Sequence, residues 1–362
     1  MGKVSIVKIK KGIKSSLNDS LNLIGGISSF INKEDIVLIK PNLNDFESYT
    51  SIELTEALIQ LLIDHNVKKI FIGEATFGNE KMTDLHFKKS GYYDLAQKYN
   101  IELFNFNKSE IREVNVKNPF QLNNLKIAKE VFSATKIINL PVMKVHYATG
   151  ITIALKNLKG ILVGDEKRHF HETGLDKAIV DLNNNINIDL NIVDCISCME
   201  TMGPKGGDIF SLDMIISGKN RGEVDLVCSK IMGYTPDEVK HLKYYCELNN
   251  INFDNIEVLG EKLKDVIHPF KKVNMKKIIP DLINIYNKDA CSSCENALLL
   301  SLKILEKKVK QATDIYLGSN ISLINNKNTK IAFGNCCKNN KLDKFIKGCP
   351  PYPFELKKIL EE

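Results

Sequence analysis

Hydrophobic residues in the first three quarters of the chain form short unbroken runs that alternate with stretches of helical periodicity. The runs at 35–43 and 68–77 are apolar on both faces, and 51–67 has one apolar face at helical spacing. The predicted strands are 4–10 (as an edge strand), 35–43, 68–77, 101–105, 136–142 and 189–194, and the predicted helices are 14–31, 51–67, 90–99, 177–188 and 224–233. This alternation predicts an α/β fold with a mostly parallel sheet covered by helices on both faces.

A change of pattern predicts a second, smaller domain. Residues 252–277 are rich in lysine and lack periodicity, and Pro280 follows them. We therefore expect an α/β domain over 1–272 and a cysteine-rich α/β domain over 273–362. The C-terminal domain is predicted to contain helix 295–311, strands 314–317 and 329–333, and a closing helix 353–361.

Composition narrows the class of protein. The 362 residues are 43% hydrophobic and 26% charged, as in ordinary globular proteins. The net charge of +6 is scattered along the chain, which argues against nucleic-acid or membrane-surface binding. No apolar run is long enough to span a membrane, so a cytoplasmic protein is expected. Nine cysteines, an odd number, are expected to be thiols or metal ligands rather than disulfides.

The last part of the chain gathers cysteines in a pattern typical of a metal cluster. They lie in CSSC at 291–294, GNCC at 334–337 and GCPP at 348–351. A four-iron cluster needs four converging thiolates, commonly a close pair and two single cysteines on separate loops. The predicted ligands of a [4Fe-4S] cluster are Cys291, Cys294, Cys336 and Cys349. Cys337 is the alternative third ligand, and a zinc site or plain thiols are the alternative interpretations.

The order CxxC, G-x-C and GCPP resembles the proximal four-iron cluster motif of nickel–iron hydrogenase small subunits. It is also similar to the motif in the cluster-bearing small subunit of complex I. The resemblance begins at the first of these cysteines and implies a [4Fe-4S] cluster and a redox partner protein.

Polar residues at the ends of apolar runs predict a second site. The carboxyl ends of parallel strands commonly display functional side chains, and Lys40, Asn42 and Glu74 follow such runs. Lys144, His146 and Lys156 lie in the uncharged stretch 138–173 and are the predicted catalytic residues. The residues predicted to bind a small anionic substrate or cofactor are Lys40, Asn42, Glu74, Asn157, Gly203 and Lys205. For each lysine alone the alternative is a side chain that extends to solvent.

Other polar residues in this region are harder to interpret. His169 and His171 in RHFHE are possible additional metal ligands if they face one side, and a solvated loop is the alternative. Cys195 and Cys198 are expected to be buried structural thiols, with a second metal site as the alternative. Lys159 is expected to be a surface charge.

The order of motifs KPNL, GEAT, INLPVMKVH, ALKNLKG and GPKGG between residues 40 and 207 resembles the domain of unknown function 362 family. The resemblance extends over about residues 1–250 and implies no assigned activity. HYATGITIALK is also similar to a segment of nickel-dependent lactate racemases. That similarity implies a catalytic histidine at His146 and, at Lys156, the lysine that holds a nickel-pincer nucleotide.

These features predict a cytoplasmic redox protein with one [4Fe-4S] cluster and an anionic ligand in a pocket of lysine and histidine. One alternative is an electron carrier or cluster-transfer module without catalysis. Another is a racemase-like isomerase with His146 as the acid or base next to a carbonyl group.

Overall fold

The computed structural model describes residues 1–305, 309–338 and 342–361. The chain divides into two compact units, Met1–Lys272 (unit 1) and Val273–Glu362 (unit 2).

Unit 1 alternates strands and helices along most of its length. The strands are β1 Gly2–Lys8, β2 Ile36–Lys40, β3 Lys69–Glu74, β4 Glu102–Asn105, β5 Ile111–Asn115, β6 Asn124–Ala128, β7 Lys136–Asn139, β8 Val142–His146, β9 Gly150–Thr152, β10 Leu190–Glu200, β11 Asp208–Phe210, β12 Met214–Gly218 and β13 Ile256–Gly260. The helices are α1 Ile13–Leu23, α2 Ile52–Asp64, α3 Glu80–Lys89, α4 Tyr92–Tyr99, α5 Ala154–Asn157, α6 Glu166–Thr173, α7 Leu175–Asn185, α8 Arg221–Ile231 and α9 Lys240–Leu248.

The main sheet of unit 1 has the order β13-β1-β12-β10-β7-β2-β3-β4. The neighbours from β10 through β7, β2 and β3 to β4 pair in parallel, and β1 pairs in parallel with β13. Strand β12 is antiparallel to both of its neighbours, β1 and β10. The predicted α/β fold with a mostly parallel sheet is therefore confirmed.

One strand occupies a different place from the one predicted. Strand β1 was expected at an edge, but β13 pairs with its outer side and places it inside the sheet. Strand β13 lies in the segment that the sequence pattern marked as aperiodic. Its residues are mostly half-buried, so it lacks the strong apolar run of the inner strands.

The core explains why the inner strands have apolar runs. Val37, Leu38 and Ile39 of β2 are all fully buried, because helices cover the sheet on both faces. Helices α1 and α2 pack together on one face and contribute Leu17 and Leu58 to the same hydrophobic core as Ile39. The rigid sheet that results fixes the positions of the residues at its strand ends.

Unit 2 contains a parallel sheet of its own. Its elements are α10 Met275–Ile278, β14 Ile283–Lys288, α11 Ser292–Ile304, β15 Thr313–Gly318, β16 Thr329–Phe333, β17 Lys344–Ile346 and α12 Pro353–Glu361. The strand order is β14-β15-β16-β17, with parallel pairing throughout. Of the predicted helix 295–311, residues 306–308 lie outside the described part of the chain. Strands β14 and β17 were not predicted.

Candidate functional site

The carboxyl ends of β2 and β3 carry a buried ion pair. Lys40 Nζ donates hydrogen bonds to Glu74 Oε2 at 2.5 Å and to the Pro41 carbonyl at 2.7 Å. Both side chains are buried, and burial lowers the pKa of Lys40 and raises that of Glu74. The attraction between the two charges opposes both shifts. Two residues predicted to bind substrate therefore bind each other.

Gly160 packs directly against this ion pair. Its carbonyl accepts a hydrogen bond from the Ala75 amide at 2.8 Å. A Cβ at position 160 would lie 1.9 Å from Glu74 Oε1 and 2.5 Å from Lys40 Nζ. Any side chain here would displace the ion pair, so the sequence needs glycine at this point.

A chain of buried amides crosses the strand ends beside the ion pair. Asn42 Nδ2 donates to Asn157 Oδ1 at 2.9 Å, and Asn157 Nδ2 donates to Asn139 Oδ1 at 2.8 Å. Asn139 Nδ2 then donates to Asn191 Oδ1 at 3.0 Å. These amides satisfy one another, so Asn42 and Asn157, which were predicted to bind substrate, hold the ends of the strands together.

Lys144 of β8 is attached to the same chain of amides. Its Nζ donates to Asn42 Oδ1 at 3.0 Å and, over a shorter distance, to the Ser48 carbonyl. Burial lowers the pKa of Lys144 to about 8, while the Asp45 carboxylate opposes that shift. Lys144 is therefore poised to gain or lose its proton near neutral pH.

His146, at the end of β8, is held in one tautomer. Its Nδ1 accepts hydrogen bonds from the amides of Ala148 at 3.1 Å and Thr149 at 3.3 Å. These contacts place the ring proton on Nε2. Burial, and then the charges of Lys156 and other neighbours, lower its pKa well below the usual value, so the ring is neutral.

Lys156 lies on α5, a helix of four residues that receives its N-terminal cap from elsewhere in the chain. Asp225 of α8 accepts hydrogen bonds from the amides of Ala154 at 2.8 Å and Leu155 at 3.0 Å. Lys156 is buried, and its Nζ lies 3.2 Å from Thr152 Oγ1. Burial and then the charge of Lys159 lower its pKa well below the usual value.

Lys159 and Lys167 extend this group of lysines. Lys159 Nζ lies 3.0 Å from His171 Nε2, and burial lowers the pKa of Lys159 to about 7. The expectation that Lys159 is a surface charge is wrong, because it is half-buried between neighbouring elements. Lys167 Nζ approaches the Thr76 carbonyl at 3.4 Å, and burial lowers its pKa to about 7 as well.

His169 and His171 do not share one face of a strand or loop. Both lie on α6, where side chains two positions apart point in different directions. His171 approaches Lys159, whereas Glu172 pairs with Arg168 at 3.5 Å. In the described residues of the chain, no group of three or more His, Cys, Asp or Glu is arranged to hold a metal ion.

Gly203 and Lys205 lie in the turn between β10 and β11. The Gly203 carbonyl accepts a hydrogen bond from the Tyr147 amide at 3.1 Å, and a Cβ at 203 would meet the Val145 carbonyl at 1.9 Å. Glycine is therefore needed for the turn to pack beside His146. Burial lowers the pKa of Lys205, and the charge of Lys205 in turn contributes to the lowered pKa of Lys144.

These residues form one connected group, because each member either shifts the pKa of another member through its charge or has its own pKa shifted by one. We call this group the lysine–histidine cluster, and its members are Lys40, Lys144, Lys156, Lys159, Lys167, Lys205, His146 and His171.

Two further histidines near the cluster were not recognised from the sequence. His86 of α3 stacks on Phe46 with ring centroids 4.0 Å apart, and burial lowers its pKa to about 4. His241 of α9 is fully buried, and its Nδ1 lies 3.2 Å from Asp176 Oδ1. Neither histidine belongs to a motif, and only the fold brings them near the lysines.

A cavity of about 590 Å³ lies elsewhere in unit 1, beside the start of α8. Arg221, Glu223 and Tyr245 are among the residues that line it, and no member of the lysine–histidine cluster does.

The cysteines of unit 2 lie on three separate segments of its chain. Cys291 precedes α11 and Cys294 lies in its first turn. A hydrogen bond with Cys291, then burial, and then the thiols of Cys349 and Cys336 raise the pKa of Cys294. The turns that carry Cys336 and Cys349 are joined by a hydrogen bond from the Asn335 amide to the Gly348 carbonyl at 2.9 Å. These segments therefore bring Cys291, Cys294, Cys336 and Cys349 into one part of unit 2, although in the described residues their donor atoms are not arranged to hold a metal ion.

Cys337 has a different environment. Its Sγ donates to the Gly318 carbonyl at 3.1 Å, and its side chain is fully buried against β15. In unit 1, Cys195, Cys198 and Cys228 are fully buried as well, and burial raises the pKa of Cys195 and Cys228.

Within the described ranges, no helix combines the length and the apolar character needed to cross a membrane.

Known proteins with similar sequence or fold were compared with this chain. A thylakoid-associated protein of Synechocystis sp. is 29% identical over 233 residues, which cover 61% of this chain and 70% of that protein. The lactate racemase apoprotein of Thermoanaerobacterium thermosaccharolyticum is 13% identical with a TM-score of 0.45, over 88% of this chain and 69% of the racemase. A crystal structure of a Thermotoga maritima protein is 12% identical with a TM-score of 0.41, over 83% of this chain and 70% of that one. Both structural values describe a distant likeness and indicate no shared reaction.

A family model, the domain of unknown function DUF362, matches residues 37–230. The matched segment includes β2, β3 and β8 and every member of the lysine–histidine cluster. It ends before the cysteines of unit 2, so the similarity of those cysteines to hydrogenase small subunits stays a prediction. Because the match covers more than half of the chain, the protein belongs to the DUF362 family of unknown function.

Proposed function

We propose that unit 1 binds a small polyanion, bearing phosphate or carboxylate groups, at the lysine–histidine cluster. We further propose that unit 2 carries one [4Fe-4S] cluster, so that the whole chain is an iron–sulfur redox protein. The observation that carries the proposal is the crowding of buried or half-buried lysines around a small number of carboxylates.

Such crowding is unfavourable without a ligand. Burial removes water from the ammonium groups, so the pKa values of Lys144, Lys159 and Lys167 fall to between about 7 and about 8. Neighbouring lysine charges lower the pKa values of Lys144 and Lys167 further. A bound anion would supply the missing negative charge and allow the lysines to keep their protons. The attraction between the anion and the protonated lysines therefore favours anion binding, as in other buried clusters of like-charged groups.

The members of the cluster have different parts in this proposal. Lys144, His146 and Lys156 contact the ligand, and Lys205 contributes from the turn that contains Gly203. The ion pair of Lys40 and Glu74 and the amides of Asn42 and Asn157 act indirectly, because their polar atoms already have partners.

The presence of four cysteines in one part of unit 2 supports the iron–sulfur part of the proposal. The raised pKa makes the Cys294 thiol a poor anion when alone, and a metal cluster would stabilise its thiolate by binding it. Cys291, Cys294, Cys336 and Cys349 have the donor chemistry that such a cluster needs, whereas Cys337 is engaged with the backbone of β15. When bound, a [4Fe-4S] cluster supplies one-electron transfer to a partner protein.

The first experiment is anaerobic purification followed by iron, sulfide, zinc and nickel analysis and calorimetric titration with pyrophosphate. About four irons and four sulfides per chain would support the cluster. Zinc without sulfide would contradict the iron–sulfur part. In the titration we expect Lys156→Ala to weaken pyrophosphate binding and to leave the iron content unchanged.

The matched control is Lys68→Ala, which removes one exposed lysine outside the cluster. Equal weakening by both variants would mean that pyrophosphate binds through general charge, which contradicts a specific site. If wild type holds iron and sulfide but binds no anion, the alternative of an electron carrier without catalysis is the better description.

A further inference from the structure

We propose that Lys156 acts as a nucleophilic amine toward the carbonyl group of an anionic substrate, and that His241, held by Asp176, exchanges the protons of this reaction. The inference rests on the proposed function for the anionic character of the ligand. It also specifies the chemical class of the substrate, which is an aldehyde or ketone that bears a phosphate or carboxylate group.

Lys156 differs from Lys40 and Lys144 in its partners. Lys40 has the Glu74 carboxylate, and Lys144 donates to two oxygen atoms. Lys156 Nζ has the Thr152 hydroxyl at 3.2 Å, and no ion pair joins it to a described carboxylate. A hydroxyl can donate to a neutral amine as well as accept from an ammonium, so this environment suits the neutral form.

The charged groups around Lys156 also favour a neutral amine. Burial has the largest effect on its pKa, and the charges of Lys159 and Lys144 act in the same direction. Asp176 is the carboxylate that opposes them. His146, His171 and His241 lie nearby with lowered pKa values and add no positive charge at neutral pH. A neutral lysine amine is the form that attacks carbonyl carbon.

His241 is arranged as a proton acceptor. Asp176 Oδ1 accepts a hydrogen bond from the His241 amide at 3.1 Å and lies 3.2 Å from its Nδ1. This carboxylate keeps the ring proton on Nδ1, which leaves a lone pair on Nε2. His241 is fully buried, and its Nε2 has no hydrogen-bond partner among the described residues. The charge of Lys156 reaches His241 and helps to lower its pKa.

The proposed step needs no oxidant or reductant. The Lys156 nitrogen adds to the carbonyl carbon, the carbonyl oxygen takes up a proton, and a carbinolamine forms. Loss of that oxygen as water then gives an imine, so that one amine and one carbonyl compound yield one imine and one water. His241 Nε2 accepts each of the two protons that leave the nitrogen and passes it to that oxygen, the first as the carbinolamine forms and the second as the hydroxyl group departs as water.

The test uses the whole chain, anaerobically purified, with pyridoxal 5′-phosphate as the probe, because this compound is an aldehyde and a phosphate ester. After borohydride reduction, peptide mass spectrometry identifies the labelled lysines. At pH 7 we expect labelling of Lys156 to exceed that of any exposed lysine by roughly tenfold or more, since ordinary lysines are almost fully protonated there. Pyrophosphate should compete, and pyridoxal without phosphate should label less.

Labelling of Lys159 or Lys167 instead of Lys156, or labelling spread over exposed lysines, would overturn the inference. A parallel titration of the protein with pyridoxal 5′-phosphate, without borohydride, measures binding of the probe alone. It distinguishes a wrong assignment of the reactive lysine from the absence of an anion site. Binding of the probe in competition with pyrophosphate, without trapping at Lys156, would leave the proposed function standing. An absence of binding would contradict both proposals.

The part of His241 is tested with His241→Gln and Asp176→Asn, each examined for correct folding by circular dichroism. Both should slow labelling of Lys156 and change how its rate depends on pH, since each alters the group that exchanges protons. A uniform decrease at every pH, with the shape of the profile unchanged, would show that His241 and Asp176 serve only to support the structure.

Discussion

Lys40 and Glu74 form a buried ion pair, 2.5 Å between Nζ and Oε2, that joins the ends of two adjacent parallel strands. The backbone of Gly160 covers the pair, so the loop that follows Lys156 is held against the sheet by it. The pair therefore links the stability of unit 1 to the geometry of the lysine–histidine cluster.

Replacing one partner of this ion pair should be costly. We expect Glu74→Gln to lower the free energy of unfolding by about 3–5 kcal/mol, because the Lys40 ammonium would remain buried without its counter-charge. Urea denaturation of the variant and of wild type measures the difference. The double variant Lys40→Met with Glu74→Gln should recover part of the loss. If the double variant is less stable than the single one, the unpaired charge is not the cause.

Gly160→Ala should also destabilise unit 1. The new methyl group would lie 1.9 Å from Glu74 Oε1, so the ion pair or the loop must shift, and we expect a loss of about 1–3 kcal/mol in the free energy of unfolding. Gly222→Ala is a milder comparison, because its Cβ would meet the side chains of Ile251 and Tyr245 at 2.9 Å. Equal stability of Gly160→Ala and wild type in urea would contradict the close packing described here.

Anion binding should depend on pH in a definite direction. Lys144 has a pKa of about 8 and Lys159 of about 7, both lowered by burial, so they lose their protons as the pH rises through this range. Sulfate keeps its charge throughout this range. If sulfate binds only while a given lysine is protonated, its dissociation constant should rise by about tenfold per pH unit above the pKa of that lysine. Calorimetry between about pH 6 and pH 9 at constant ionic strength measures this change. A constant affinity would show that these lysines do not contact the anion.

The cysteines of unit 2 should differ sharply in their effect on iron content. Cys349→Ser and Cys336→Ser should lose the cluster, since each removes a thiolate ligand of the proposed set. Cys337→Ser is the matched control, because this thiol is fully buried and donates to the Gly318 carbonyl. Iron and sulfide analysis after anaerobic purification gives the comparison. Full iron content in Cys349→Ser, or loss of iron in Cys337→Ser alone, would refute the ligand assignment.

The sequence predicted those parts of unit 1 that depend on strong apolar patterns. Strands β2 and β3 and helix α2 were predicted within a few residues, because their cores are apolar and their ends carry polar residues. The rule that functional side chains follow parallel strands also led to Lys40 and Glu74, which the fold does bring together. The rule could not show that these two residues form an ion pair with each other.

Other parts of the site had no local pattern from which they could be predicted. Lys167 and His241 lie on helices with ordinary surface composition, and only tertiary packing buries them. His169 and His171 were assigned to a strand or loop, although the segment is a short helix that begins with acidic Glu166. Helix α3 was not predicted, because it has few apolar positions. Its N-terminus is capped by the Asn79 side chain, which accepts a hydrogen bond from the Met82 amide.

The cap that Asp225 supplies to α5 joins residues 71 positions apart in sequence. A helix of four residues cannot persist by its own hydrogen bonds, so the orientation of Lys156 is determined by a carboxylate on a different helix. Genetic screens for loss of function in this family should therefore recover substitutions at position 225 among those of the site itself. Such variants could be mistaken for changes in a ligand-binding residue, although Asp225 is fully buried and accepts its hydrogen bonds from the backbone amides of Ala154 and Leu155.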